Sequence, residues 1–283
     1  MAVTPSKPST SDQIAKEHES IKSHDWHEAG KAWGHAPIDW ACLYEHYAFA
    51  VTLALFTEMG IGPGVEVLEV ACGAGLVAMH GSSTGAHWVG LDASVDLLRV
   101  ARDRSPEIKF EEGSMFDLPF ANESFDRVIS INGVWGGCDD ALAEANRVLR
   151  PGGLVGISFW GAGPPLDMKS CFRVFARNSP PAQKGSMKNL NNIAFDGVAE
   201  RMMVDAGFDV VSSGSRISTI EWPDEEVAWR ALASVGPAVP ALQNGDVDAI
   251  RAEVMEAISK SRSDLGGYRF LNDHRYVVAR KPM

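Results

Sequence analysis

Between Asp39 and Met59 the large residues Trp40, Tyr44, Tyr47, Val51 and Leu55 recur at steps of three and four. That spacing predicts a helix with one apolar face, with Asp39 as its N-cap and Gly60 as its stop. The segment "IGPG" then ends the helical pattern. From Val65 short runs rich in β-branched and aromatic residues alternate with helical runs. Strands are predicted over Val65 to Val70, His87 to Asp92, Ile108 to Glu112, Phe125 to Ile131 and Leu154 to Phe159. Helices are predicted over Leu76 to Ser82, Ser94 to Asp103 and Asp139 to Leu149. Such alternation predicts an α/β domain with a mostly parallel sheet covered on both faces. After Trp160 come a Gly/Pro-rich segment, a helix ending in "DAGF" and the strand "DVVSSGSRISTIEW". Helices around Glu225 to Ser234 and Val247 to Ser261 follow, and "YRFLNDHRYVVARK" reads as a closing strand.

Composition narrows the classes. A chain of 283 residues, 45% hydrophobic and 22% charged, can bury a large core. The first 25 residues are polar and rich in Ser, Thr and Pro, as in a flexible arm. Residues 26–283 read as a single domain: a helical cover to residue 60, a core from 61 to 160, and substrate-side insertions with closing strands from 161. A net charge of −11 opposes binding to a phosphate backbone, so a small molecule is expected and nucleic acid is not. The four cysteines show no metal-ligand spacing, and no metal is expected. The chain shows no leader and no run of about 18 apolar residues, which points to a cytoplasmic protein away from membranes, monomeric or homodimeric.

The stretch "EVACGAGLVA" carries the first chemical clue, because Gly73, Gly75 and Ala78 fit a loose dinucleotide pattern. Glu69 precedes the glycines at the strand end, where strand alternation predicts an exposed carboxylate at a cleft edge. A carboxylate there opposes a pyrophosphate and favours a cation such as an amino group. Asp92 ends the next strand in "GLDAS", where it can accept from both hydroxyls of a ribose or cap the helix before "SVDLL". A ribose beside a cation matches S-adenosylmethionine.

The ordered motifs "VLEVACGAG", "GLDASVDLL", "EGSMFDLPF", "FDRVISINGVW" and "RVLRPGGLVGISFW" resemble those of class I S-adenosylmethionine-dependent methyltransferases, in particular the small-molecule, quinone-methyltransferase-like branch of type 11. The resemblance covers roughly Gly60 to Trp160 and, more loosely, the closing strands. It implies a Rossmann-like, doubly wound sheet of seven strands with the last antiparallel. It implies that Glu69, the backbone of Ala71 and Gly73, and the close approach at Gly75 serve the methionine end of the donor. Asp92 would hold the ribose, with Ala93 and Leu97 near the adenosine and Ser114 and Met115 at the adenine. Asn132 and Gly133 would line the methionine. Ser114 departs from the usual acid or Asn at its position, leaving one hydroxyl for the exocyclic amine.

The implied reaction is methyl transfer to an O, N, S or C nucleophile, leaving S-adenosylhomocysteine. The acceptor pocket is expected over the strand ends, walled by Trp33, Trp135 and Trp160 together with Trp26. Its aromatic residues suggest a planar or apolar metabolite. No catalytic residue stands out: His27, His35, His46 and His274 are candidates for a general base, and a lone His is usually not catalytic. Cys72 reads as a small residue filling the turn, "RPGG" as a turn before the fifth strand, and the stripe Trp40, Tyr44, Tyr47 as core or as a roof for a sulfonium. Two rival readings are a non-catalytic or repurposed donor-binding fold and an NAD-dependent oxidoreductase, although a Y-x-x-x-K pair is missing from the sequence.

Overall fold

A computed structural model describes residues 26–181 and 191–283. The arm expected over residues 1–25 lies outside the described residues. The core alternates strand and helix: β1 (Glu66–Val70), α3 (Leu76–Ser82), β2 (His87–Asp92), α4 (Val95–Arg104), β3 (Lys109–Glu112), β4 (Phe125–Ile131), α5 (Asp139–Val148) and β5 (Leu149–Trp160). Ahead of it lie α1 (Trp26–Trp33) and α2 (Phe49–Met59). After it come α6 (Lys169–Asn178), α7 (Val198–Asp205), β6 (Asp209–Trp222), α8 (Glu225–Ala233), α9 (Val239–Asn244), α10 (Val247–Ala257) and β7 (Tyr268–Arg280).

The seven strands form one sheet in the order β3-β2-β1-β4-β5-β7-β6. β1 pairs in parallel with β2 and β4, β2 with β3, and β4 with β5, whereas β7 runs antiparallel between β5 and β6. This is the predicted sheet, with its last strand reversed. Crossovers at both ends of the order put the switch point between β1 and β4, so the carboxyl ends of β1, β2 and β4 open onto one crevice.

Local chemistry sets the boundaries. Ser94 caps α4 by accepting from the Leu97 amide at 3.3 Å, and Asp224 caps α8 by accepting from Val227 at 2.8 Å. One sheet face packs against α5 and α7 through Leu142, Val148 and Met203, and the other against α2 through Leu55 and Met59. The inserted helices α6, α8, α9 and α10 build a separate apolar cluster with the free ends of β6 and β7, where Trp222 and Phe270 meet.

Two expectations need correction. The helix predicted over Asp39 to Met59 starts at Pro37 and changes pitch, with a π turn at Trp40–Tyr44 and a 3-10 turn at Glu45–Ala48 before α2. Asp39 is not its cap: it is already helical, and its carboxylate accepts from Arg230 at 3.1 Å. Gly60 does end the helix in the left-handed region. The "RPGG" segment belongs to β5, where the register against β4 jumps from Phe125 opposite Leu149 to Arg127 opposite Leu154. The turn chemistry is absorbed as a bulge inside a longer strand.

Candidate active site

The loop after β1 is wound tightly, with φ of 58° at Ala71, 55° at Gly73 and 77° at Gly75. Ala71 occupies a conformation that disfavours side chains, so the loop is held there by its surroundings. Asp92 provides much of that hold. One carboxylate oxygen accepts from the Gly73 amide and the other from the Ser94 amide, both at 2.8 Å. Ser94, not Asp92, is therefore the helix cap. Asp92 is 7% exposed, and each oxygen retains a lone pair for a further donor. Burial raises its pKa, while the amides of Ser94, Gly73 and Ala93 favour the charged form.

Glu69 corrects another expectation. It is not an exposed cleft-edge carboxylate: it is 1% exposed beneath the loop and accepts from the Trp88 indole at 3.0 Å. Burial pushes its pKa well up, the indole bond lowers it, and the negative charges of Glu45 and Asp92 raise it further. Strand alternation located its side chain on one face of β1 and could not show that Trp88 and α3 close over that face.

Glu45, which sequence reasoning missed, completes this acidic cluster. Its carboxylate accepts from the Leu76 amide at the start of α3 (3.2 Å) and from Arg104 (2.7 Å). Arg104 also donates to the Ala74 carbonyl at 2.9 Å, so the pair fastens the helical cover to the glycine loop. Burial outweighs the Arg104 charge and lifts the Glu45 carboxyl to about 7. An acid beside the apolar stripe was the available signal.

The other expected residues gather around the same loop. Gly133 approaches so closely that a Cβ there would collide with the Ala71 Cβ and come within 2.6 Å of Ser130 Oγ. Asn132 has a φ of 55°, and its side-chain amide donates to the Tyr47 hydroxyl at 2.8 Å. The Gly113 amide donates to the Asp92 carbonyl, which brings Ser114 and Met115 beside β2, and the Ser114 hydroxyl accepts from Phe116 at 3.2 Å. Leu97 is buried with Ala41 and Ala74 against Trp33 and Trp40, and the backbone of Gly30 in α1 rests on Ala93. Trp40 lies over Gly73, where a Cβ would stand 2.6 Å from its ring.

The tryptophans expected as pocket walls separate. Trp160 stacks on Tyr47 with ring centroids 5.4 Å apart. Trp33 packs edge-on against Trp40 at 6.4 Å, on the glycine-loop side. Trp135 packs at the margin of the core shared with α5, and Trp26 stacks on His27. Cys72 is buried, and burial with the nearby Asp92, Glu69 and Glu45 raises its pKa, which suits a filler and opposes a nucleophile. Among the described residues no His, Cys, Asp and Glu cluster could hold a metal.

Several buried polar atoms at the crevice lack hydrogen-bond partners among the described residues: Trp40 Nε1, Ser130 Oγ and Asn132 Oδ1. Together with the ionisable Asp92 and the close-approach loop, they suit a nucleoside bearing a cationic amino-acid group.

Comparison with known proteins agrees with that geometry. Residues 67–153 match the model of a methyltransferase domain family. The chain is 40% identical over 180 residues to the demethylmenaquinone methyltransferase of Renibacterium salmoninarum, a match covering 63% of this chain and 68% of that protein. The chain belongs to the class I S-adenosylmethionine-dependent methyltransferases. An uncharacterized protein of Mycobacterium tuberculosis is 36% identical over 128 residues, 43% of this chain, and the match spans about half (47%) of that relative's length. Among solved structures, the 4+2 cyclase SpnF superposes with a TM-score of 0.56 at 18% identity, covering 86% of this chain and 84% of its own, a likeness of fold. Among the described residues no helix is long and apolar enough to cross a membrane.

Proposed function

We propose that this chain transfers a methyl group from S-adenosylmethionine to a nucleophile on a small planar or apolar metabolite. The donor supplies an electrophilic methyl on a sulfonium. The observation that carries the reading is Asp92: a buried carboxylate at the end of β2, clamped by the amides of Gly73 and Ser94 and still able to accept from two hydroxyls. In this reading Asp92 orients the ribose, while Ala93, Leu97, Ser114 and Met115 flank the nucleoside base. Ala71, Gly73, Asn132 and Gly133 border the amino-acid end. Glu69 acts from beneath the loop, by holding the Trp88 indole under it rather than by direct contact with the donor.

Much of the catalysis of an in-line displacement comes from alignment. The residues here are suited to that role, because the loop, the Asn132 turn and the aromatic cover are each fixed by buried contacts. The relative from R. salmoninarum is named for a quinone substrate, and Tyr47 and Trp160 offer flat apolar faces for an acceptor of similar shape.

Calorimetric titration with S-adenosylmethionine, followed by transfer of a labelled methyl group into a metabolite extract, tests the reading. Binding with labelled product is the expected result. Binding without transfer would favour a repurposed fold, and binding of NAD in place of the donor would overturn the assignment.

A further inference from the structure

Three of the residues assigned to the donor are roofed by the N-terminal cover. Trp40 stands on Gly73, where a Cβ would come within 2.6 Å of its ring. A Cβ on Gly30 of α1 would collide with the Ala93 carbonyl, and one on Gly34 with Ser94 Oγ. Leu97 is 2% exposed, clustered with Ala41 and Ala74 under Trp33 and Trp40. Asp92, bonded to the amides of Gly73 and Ser94, is 7% exposed. A nucleoside can touch Gly73, Ala93 and Leu97 together only if this roof lifts.

The roof is held lightly on its core side. Among the described residues of α1 only Gly30 is buried, and an element with few buried contacts opens at low free energy. Its other fastenings run to the inserted helices. The Trp33 ring lies against Gly236, 2.9 Å from where a Cβ would stand, and a ring nitrogen of His35 donates to the Ala233 carbonyl at the end of α8 at 2.9 Å. Asp39 accepts from Arg230 of α8 at 3.1 Å. From Leu43 onward the segment is anchored instead: the Trp222 indole donates to the Leu43 carbonyl at 2.7 Å, Tyr44 is 2% exposed, and Glu45 is bound to Leu76 and Arg104. The pitch changes at the π turn Trp40–Tyr44, between the light part and the anchored part, and such irregular turns within a helical run often mark hinges.

We propose that residues 26–40 are a clasp joining the donor turn to the inserted helices: the nucleoside enters and leaves when this segment swings off Ala93 and Ser94 about the π turn, and the contacts with Gly236, Ala233 and Arg230 set how often it does so. The proposal rests on the donor-site reading and supplies the regulation of that site. Closed, the clasp shuts the nucleoside away from water between Trp40 and the glycine loop. Open, it exposes the Asp92 end of β2 while Glu45 and Arg104 keep the rest of the cover in place. Coupling of this kind is reciprocal, so a shift of α8 on the inserted side changes donor exchange, and donor binding tightens the hold of α1 on α8.

The test uses the full chain in a Cys42→Ser background, which removes the exposed thiol. The pair Gly34→Cys and Ser94→Cys places two thiols where α1 meets the donor turn, so that oxidation pins the clasp shut. Stopped-flow tryptophan fluorescence with S-adenosylhomocysteine compares the oxidised and reduced forms. Oxidation should slow both association and release by about 30-fold or more, and dithiothreitol should restore them. Equal rates in the two forms would overturn the proposal. Arg230→Ala, an exposed change outside the donor site, should speed release by about 3-fold, the worth of an exposed ion pair, and should raise amide hydrogen exchange over residues 26–40 while leaving 49–59 unchanged. Should the cysteine pair fail to fold, this variant decides alone, and unchanged release with unchanged exchange would overturn the clasp. Failure of S-adenosylhomocysteine to bind the wild-type chain would instead sink the donor-site reading, and the exchange of residues 26–40 in Arg230→Ala, measured without nucleoside, would still show whether α8 holds α1.

Discussion

His274 and Glu45 are pulled in opposite directions by the same burial, so their contributions to stability oppose each other between about pH 4.5 and 6.5, and a variant separates them. The native His274 binds its proton only near pH 3, whereas the unfolded residue binds it near 6.5. Between those values the unfolded chain holds more protons, so this contribution is complete above about pH 6.5 and is lost as pH falls. At about 1.4 kcal/mol per pH unit, the loss from pH 6.5 to 5 is about 2 kcal/mol. Glu45, lifted to about 7, runs the other way: the native chain holds more protons between 4.5 and 7, and stability falls as pH rises through that window. The charged and titratable groups around His274 are Tyr47 above it, Arg216 opposite it on β6, and Tyr276 two residues along β7. Urea titrations of wild type and His274→Phe at pH 6.5 and 5 should show the variant gaining about 2 kcal/mol relative to wild type at the lower pH. A constant difference would mean that His274 is not held neutral. At Asp92 the expected effect is on the donor. Asp92→Ala should weaken S-adenosylmethionine binding by about 1 to 3 kcal/mol in calorimetry, through loss of charge-assisted hydrogen bonds and release of the Gly73 amide.

The helical segment from Pro37 to Met59 shows how one element can be legible in period and illegible in detail. Its apolar stripe was visible as Trp40, Tyr44 and Tyr47, because large residues at steps of three and four mark a helical face. The π and 3-10 turns were not, since they arise where Trp40 must meet Gly73 and Glu45 must meet Leu76 and Arg104 at the same time. The Glu45–Arg104 pair makes the attachment of this element testable. Arg104→Met leaves a buried carboxylate without its partner and is expected to destabilise the fold by about 3 kcal/mol in urea titrations. Glu45→Gln in the same background should restore part of that loss, and no restoration would show that Arg104 acts through its packing alone. The bulged start of β5 was missed for a related reason: "RPGG" has the composition of a turn, and only pairing with β4 and the chain's final segment keeps it in the sheet.

Across the whole molecule the donor crevice, the helical cover and the sheet share one set of contacts, so ligand binding and folding are linked. At a donor concentration about 100 times its Kd, S-adenosylmethionine should stabilise the native state by about 2.7 kcal/mol, a rise in Tm of roughly 5 °C in a thermal melt. No shift at saturation would separate the cover from the site. Much of this molecule follows from local order along the chain. Strands β2 and β4 and helix α3 begin and end where the periodicity said, and the glycine loop and Asp92 were readable too, whereas the reversed last strand came from the resemblance to the methyltransferases. Period, caps and turns are properties of neighbouring residues, which is why they survive in a sequence alone. The tertiary structure decided what each charge and ring faces. Glu69 is covered by Trp88, Glu45 is bound to Arg104, and His274 meets Tyr47 from the opposite end of the chain. Burial and electrostatics depend on residues far apart in sequence, and only folding brings those residues within reach of one another.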